Sequence, residues 1–363
     1  MIDPQTFERL RSIGLTPALM QQLATLPAEE TQATLLRVAQ VQREGLCLHN
    51  GEIELQGRLL PALRASLAFE SDAIAVGDWV LARRNDLAEW WVHARVPPVN
   101  QLARRLHDGR DKVTRTVIVS NVDTALLVMG LDHDFSLRRL ERFVALAQMA
   151  QVTPVVVLSK ADLCHDTAQR LAQVQALLPV HAAVVAVNAL AEETRQTLAP
   201  WLQVGQTLVL LGSSGTGKST LTNMLTASQV ADTGANRADD SRGRHTTTAR
   251  SLHVTAQGAC IIDTPGLRTL RLDGDAQAIG AAFGDIGELA SACRFRDCRH
   301  EDEPGCAVRG TVSPERLKNF NKLLREARRD SITALERKAQ VQQWKARGRN
   351  ARIRVDAKKG IAG

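Results

Sequence analysis

The chain has 363 residues, and 44% of them are hydrophobic. That composition can build cores for roughly two to three domains and excludes a disordered polypeptide. The formal net charge of +7 favours an acidic partner, either nucleic acid or an anionic membrane surface. The opening MIDPQTFERLRSIGL has no basic stretch leading into an apolar core. No apolar run approaches the ~18 residues a membrane span needs. The expectation is a cytoplasmic, monomeric protein with no membrane partner.

Residues 1–40 read as two or three short helices. Leu10, Ile13, Leu19, Leu23 and Leu35 fall near helical spacing, and Pro4, Pro17 and Pro27 interrupt the run. Residues 43–98 change character. The short apolar runs EIELQG, AVGDWVLAR and EWWVHARV lie between Asn50-Gly51, Gly57, Gly77-Asp78 and Asn85-Asp86. They predict a small antiparallel β domain, a barrel, with a β-sandwich lobe as the alternative. Residues 99–114 are polar and basic and read as a linker.

From residue 115 apolar strands alternate with amphipathic helices. The strands are carried by TVIVSNVDTALLVMG, VTPVVVLSKAD, HAAVVAVNAL, TLVLLG and GACIIDTPGL. This pattern predicts an α/β fold with a mostly parallel sheet. From residue 291 the chain is rich in Cys, Arg and Asp. A charged helix is expected to start near Ser313-Pro314, with serine as cap and proline in the first turn. A tail from Arg337 to Lys359 is dominated by Lys and Arg. The expected organisation is a helical extension over 1–40, a barrel over 41–105, an α/β domain over 106–285 and a metal-binding helical domain over 286–363.

Gly212-Ser213-Ser214-Gly215-Thr216-Gly217-Lys218-Ser219 matches the phosphate-loop pattern, follows the strand TLVLL and opens a helix at Thr220. Its glycines let backbone amides curl around phosphates, and the helix start adds a positive dipole end. Lys218 is expected to reach the β- and γ-phosphates, and the Ser219 hydroxyl to ligate Mg²⁺.

The base is read elsewhere. Asp263-Thr264-Pro265-Gly266 follows a strand, where Asp263 can hold the Mg²⁺ shell and the Gly266 amide can meet the γ-phosphate. Ser159-Lys160-Ala161-Asp162 also ends a strand. Asp162 can accept from guanine N1–H and N2–H₂, donors that adenine does not offer there, and Lys160 can lay its stem across the ring. Val187-Asn188-Ala189 supplies a second base loop, with the Ala189 amide toward guanine O6. These residues predict GTP and GDP as ligands.

The order is permuted, because the base reader precedes the phosphate loop. Circular permutation moves the chain ends and leaves the sheet intact. The switch segments then adjoin the C-terminal domain, so nucleotide state could move that domain directly. Between the phosphate loop and DTPG lies Arg242-Gly243-Arg244-His245-Thr246-Thr247-Thr248. Thr247 is the candidate for completing the Mg²⁺ shell. Leu267 cannot orient water, which makes His245 the candidate catalytic group and predicts slow intrinsic hydrolysis.

Cys293, Cys298, His300 and Cys306 give three thiolates and an imidazole within a short span. That set suits a closed, structural, tetrahedral Zn²⁺ site. The scattered Cys47, Cys164 and Cys260 do not read as a disulfide framework.

GRHTTT (243–248), DTPGLR (263–268) and CRFRDCRHEDEPGCAV (293–308) together resemble the RsgA (YjeQ) family of circularly permuted GTPases. The resemblance runs from about residue 43 to the end of the Cys cluster. It implies an N-terminal OB-like β-barrel, a central circularly permuted P-loop GTPase domain and a C-terminal zinc-binding helical domain. It also implies late maturation of the small ribosomal subunit, binding to its rRNA and subunit-stimulated GTP hydrolysis. Ser159 stands where the family usually has Asn or Thr, and this predicts the loss of a contact from the base reader to the purine and the phosphate loop. The barrel is poor in rings beyond Trp79, Trp90 and Trp91, so any RNA contact there would rest on charge and shape. The alternatives are a P-loop ATPase or kinase, which Asp162 and DTPG oppose, and an RNA-binding scaffold with an inert nucleotide site. Ser159 and Leu267 favour the scaffold; intact Lys218, Ser219 and Asp263 oppose it.

Overall fold

The computed structural model describes residues 3–27, 33–70, 72–107, 113–178, 182–226, 250–264, 272–273 and 276–331. Helices α1 (Pro4–Ser12) and α2 (Pro17–Ala24) open the chain. Their prolines start them instead of breaking them. Pro4 and Pro17 occupy the first turn, where no amide donor is needed, behind the caps Asp3 and Thr16.

The helical reading of 1–40 is corrected beyond α2. Thr34–Val41 is strand β1, so Leu35 is a strand residue and the barrel begins seven positions before residue 41. The cause is burial on both faces: Leu35, Leu36, Arg37, Val38 and Ala39 are all buried. Such a continuous run carries no strand alternation to distinguish it from a helix.

Strands β2 (Leu46–His49), β3 (Glu54–Leu59), β4 (Trp79–Arg84) and β5 (Trp90–Arg95) complete the barrel, with α3 (Pro61–Phe69) between β3 and β4. The pairings β1–β2, β2–β3, β3–β5, β5–β4 and β4–β1 close it without a free edge. The β3–β5 pairing is parallel, so the barrel is not wholly antiparallel. Leu36, Val38, Leu48, Val80 and Val92 fill its interior.

The expected linker is also corrected. β6 (Gln101–His107) and β7 (Val113–Ser120) form an antiparallel hairpin, and a boundary at 105/106 would cut β6. Leu102 and Ala103 are buried. Arg105 and Arg115 both pair with Asp273, at 3.0 and 2.7 Å. The segment reads as a polar linker only while that distant carboxylate is out of view.

The α/β domain contains β8 (Thr124–Gly130), α4 (Leu137–Met149), β9 (Thr153–Ser159), α5 (Thr167–Leu177), β10 (Ala183–Ala186) and α6 (Glu193–Leu198). It continues with β11 (Thr207–Leu211), α7 (Lys218–Thr226), β12 (Ser251–Val254) and β13 (Cys260–Asp263). Its sheet runs β10-β9-β8-β11-β13-β12, parallel except for β12. The phosphate-loop strand β11 is central, although it comes late in the chain. β12 also bridges to β1 at Ser251 and Gln40, which joins this sheet to the barrel.

The C-terminal part holds α8 (Ala276–Ala282), α9 (Gly284–Ser291), the Cys/His loops and α10 (Pro314–Ser331). A boundary at 285/286 falls inside α9. The Arg316 amide donates to the Ser313 hydroxyl at 3.3 Å, so serine caps α10. Among the described residues, no helix is long and apolar enough to cross a membrane.

Candidate nucleotide and metal sites

The carboxyl ends of the parallel strands β9, β10, β11 and β13 gather the candidate residues on one side of the sheet. Ligands bind there in open α/β folds, because strand ends and helix starts leave amides and side chains unpaired by the sheet.

The phosphate loop leaves β11 at Gly212 and enters α7 at Lys218. A Cβ on Gly212 would lie 2.3 Å from the Val128 carbonyl, so only glycine fits the exit from the strand. Gly217 has φ +87°, a left-handed turn that feeds the helix. Ser214 and Gly215 are exposed, Thr216 and Lys218 are buried, and Ser219 and Thr220 are half-buried. Lys218 Nζ donates to the carbonyls of Gly212 and Ser213, at 3.1 and 2.5 Å.

Asp263 closes β13 beside that lysine. Burial pushes its carboxyl up, and the Lys218 charge opposes the shift. Its Oδ1 is buried and accepts no hydrogen bond. A buried, orphaned carboxylate oxygen is the donor type a hard cation takes. Thr264 anchors the next residue through a 2.5 Å bond to the Leu210 carbonyl. His245, Thr247 and Gly266 lie outside the described residues, so the structure places none of them.

The expected loss at Ser159 is corrected in part. Its hydroxyl is buried and donates to the Thr216 carbonyl at 2.7 Å, so the contact from base reader to phosphate loop is present. A short hydroxyl reaches it because β9 and β11 flank β8 closely. Lys160 has φ +60° and its Nζ meets Asp132 at 2.6 Å. Partial burial pushes Asp132 up, yet the Lys160 bond and the Asp134 amide hold its carboxyl below the ordinary carboxylate range. Asp162 is exposed at the rim. The Ala161 amide donates to the Val187 carbonyl at 3.2 Å, which ties the first base loop to the second. There Asn188 Oδ1 accepts from the Leu190 amide at 3.0 Å, and the Asn188 carbonyl accepts from Thr194 at 2.6 Å. Ala189 is buried.

Sequence reasoning missed Asp132, Asp134 and Arg139, which crowd the same strand ends. The available signal was Asp132-His133-Asp134 just after an apolar strand, the kind of position Asp263 occupies.

The ligating atoms of Cys293, Cys298, His300 and Cys306 all lie within 4.8 Å of one another. Cys293 and Cys306 Sγ are 4.0 Å apart, and His300 Nδ1 is 3.7 and 3.4 Å from them. A tetrahedron with Zn–S of ~2.3 Å and Zn–N of ~2.0 Å has edges of about 3.8 and 3.5 Å. The donor set therefore fits one tetrahedral ion, with histidine presenting Nδ1. Two left-handed residues, His300 at φ +60° and Gly305 at φ +78°, fold the loop back on itself.

The model of the RsgA GTPase family matches residues 97–273. The "Small ribosomal subunit biogenesis GTPase RsgA 2" of Vibrio vulnificus is 39% identical over 341 residues, 92% of each chain. The "Small ribosomal subunit biogenesis GTPase RsgA" of Xylella fastidiosa is 40% identical over 333 residues, 89% of this chain and 95% of that protein. Among solved structures, YjeQ from Thermotoga maritima superimposes with a TM-score of 0.59 at 22% identity, over 81% of this chain and 98% of that one. YloQ, described as a circularly permuted GTPase, gives 0.57 at 21% identity, over 85% and 99%. With the permuted strand order, the phosphate loop and the Cys/His cluster in place, these likenesses over nearly the whole length establish that the chain belongs to the RsgA GTPase family.

Proposed function

We propose that this protein is a cytoplasmic, monomeric GTPase of small ribosomal subunit biogenesis. It binds the subunit and its rRNA and hydrolyses GTP to GDP and phosphate, faster on the subunit than off it. The observation that carries this reading is the meeting of Lys218, Asp263, Ser159-Lys160 and Asn188 at the ends of neighbouring parallel strands. In this reading Gly212–Thr220 cradle the phosphates, Asp162 and Ala189 read guanine, and Ser219, Asp263 and Thr247 hold Mg²⁺. Bound Mg²⁺ neutralises charge on the phosphates. His245 is the catalytic candidate. Cys293, Cys298, His300 and Cys306 hold a structural Zn²⁺ that supplies folding energy to the C-terminal part. The domain division that goes with this reading is helices through α2, a barrel from β1 to β5, the α/β domain from β6, and a C-terminal domain from α8.

The test is nucleotide turnover with and without purified small subunits, with ATP in parallel. Slow GTP turnover that rises on the subunit is expected. Turnover of ATP in preference to GTP would replace the guanine reading with a P-loop ATPase or kinase. Subunit binding with no turnover of either nucleotide would leave a scaffold with an inert site.

A further inference from the structure

Arg139 sits in the first turn of α4 and reaches the second residue of the phosphate loop. One guanidinium nitrogen, Nη1, donates to the Ser213 hydroxyl at 2.6 Å and pairs with Asp134 Oδ1 at 2.8 Å. The other, Nη2, donates to the Asp134 carbonyl at 2.8 Å. Asp134 thus fixes the planar fork, and the fork fixes Ser213. The same residue matters on its main chain, because the Ser213 carbonyl accepts from Lys218 Nζ and from Thr216 Oγ1 at 3.1 Å. Arg139 therefore grips the loop residue that orients the phosphate-binding lysine.

Helix α4 also carries the attachment of α10. Arg142 forks onto Glu326 at 2.8 and 3.0 Å. Asn319 Nδ2 donates to the Arg138 carbonyl at 3.2 Å and to Glu141 at 2.6 Å. Arg138, Arg139, Glu141 and Arg142 lie within little more than one turn of one rigid element, with the phosphate loop on one set of contacts and the C-terminal helix on the other.

We propose that Arg139 is a positioning residue of the nucleotide site, acting through Ser213, and that α4 makes the setting of the phosphate loop depend on how α10 is attached. The proposal rests on the reading of Gly212–Ser219 as the GTP site. Loop amides stabilise phosphate charge only when they are held in place beforehand. Arg139 supplies that preorganisation through its bond to Ser213. A partner that pulls α10 away from Glu326's contact would then be felt at Lys218 through α4, without passing through the switch segments.

The test uses the full-length protein. Arg139→Met, Arg139→Lys, Ser213→Ala and the Arg139→Met/Ser213→Ala double are compared for GDP affinity, for kcat and KM with GTP, and for the phosphorus NMR shift of the bound GDP β-phosphate. Arg139→Met should weaken GDP about tenfold and move the β-phosphate resonance, and Arg139→Lys should recover part of both. The double should be no weaker than Arg139→Met alone, since both remove one contact. Wild-type affinity and resonance in Arg139→Met, or additive losses in the double, overturn the positioning role. In the second arm Arg142→Glu and Glu326→Arg should each weaken GDP binding, and the charge-swapped pair should restore it. Single variants that melt lower yet bind GDP normally would show that α10 is anchored by α4 but not felt at the loop. Lys218→Ala separates the two readings: if it keeps full turnover, the nucleotide site itself is misplaced, whereas loss of turnover there with unchanged Arg139→Met defeats this inference alone.

Discussion

The Ser159 hydroxyl donates to the Thr216 carbonyl at 2.7 Å, so the residue that opens the base reader is bonded to the middle of the phosphate loop. Both partners are buried, at 1% and 0% exposure. Ser159→Ala should therefore weaken GDP and GTP binding about fivefold to tenfold, from one lost buried hydrogen bond of about 1 kcal/mol. Ser159→Thr keeps the hydroxyl and should keep the affinity. Fluorescent-nucleotide titration checks this, and equal affinities for all three proteins would mean that the bond holds nothing in place.

Arg37 is fully buried in β1. Its guanidinium donates to the Ile13 carbonyl and, at 3.1 Å, to the Asn121 carbonyl, and lies 5.6 Å from the Trp79 ring. One side chain thus joins the N-terminal helices, the barrel and the start of the α/β domain. Arg37→Met should cost about 2–4 kcal/mol, because two buried carbonyls lose their donor. Denaturant unfolding measures the loss; a change below about 1 kcal/mol would show that water or backbone adjustment replaces the guanidinium.

Asp78 is fully buried at the foot of β4. Burial lifts its carboxyl from the ordinary 3.8 to about 6, against the pull of Arg95. Its folded-state value is raised, so the folded protein binds this proton more tightly than the unfolded chain does. The stability this contributes is full below the ordinary value and is lost as pH rises through about 6. Asp78→Asn keeps an acceptor for the Ala75 amide, which now bonds Oδ2 at 2.8 Å, and should flatten the stability profile over that window. Unfolding curves at stepped pH decide it, and an unchanged slope in the variant would assign the titration to another group.

Cys298→Ala should lower bound zinc well below one per chain and destabilise the C-terminal helices, because a structural ion couples its binding energy to folding. Metal analysis and a thermal melt of the same sample check both halves. A variant that still holds one zinc would show that the fourth ligand lies elsewhere. Acid should release zinc from the zinc-loaded unaltered protein as well, since thiolates and neutral imidazole are the binding forms.

The amino-acid sequence alone determined whatever is encoded within a few neighbouring residues. Gly212–Ser219 is legible because the turn, the lysine and the helix start are contiguous. The Cys/His set is legible because a tetrahedral ion can be satisfied by one folded-back loop. The parallel sheet is legible because its central strands β8, β9 and β11, buried on both faces, are nearly uninterrupted apolar runs. The tertiary structure decided what depends on partners distant along the chain. β6 became a strand, and not a linker, because it pairs with β7, a hairpin whose Arg105 and Arg115 are both met by Asp273, the first across 168 positions. β1 became a strand, and not a helix, because the barrel closes around Leu36 and Val38 while Leu35 and Ala39 pack into the main core on its other face. Ser159 reaches Thr216 across 57 positions and Arg139 reaches Ser213 across 74, distances that only the order of strands in the sheet makes short. Local chemistry fixes a motif, but the groups that hold it in position are chosen by which strands lie side by side, and that choice is a property of the whole core.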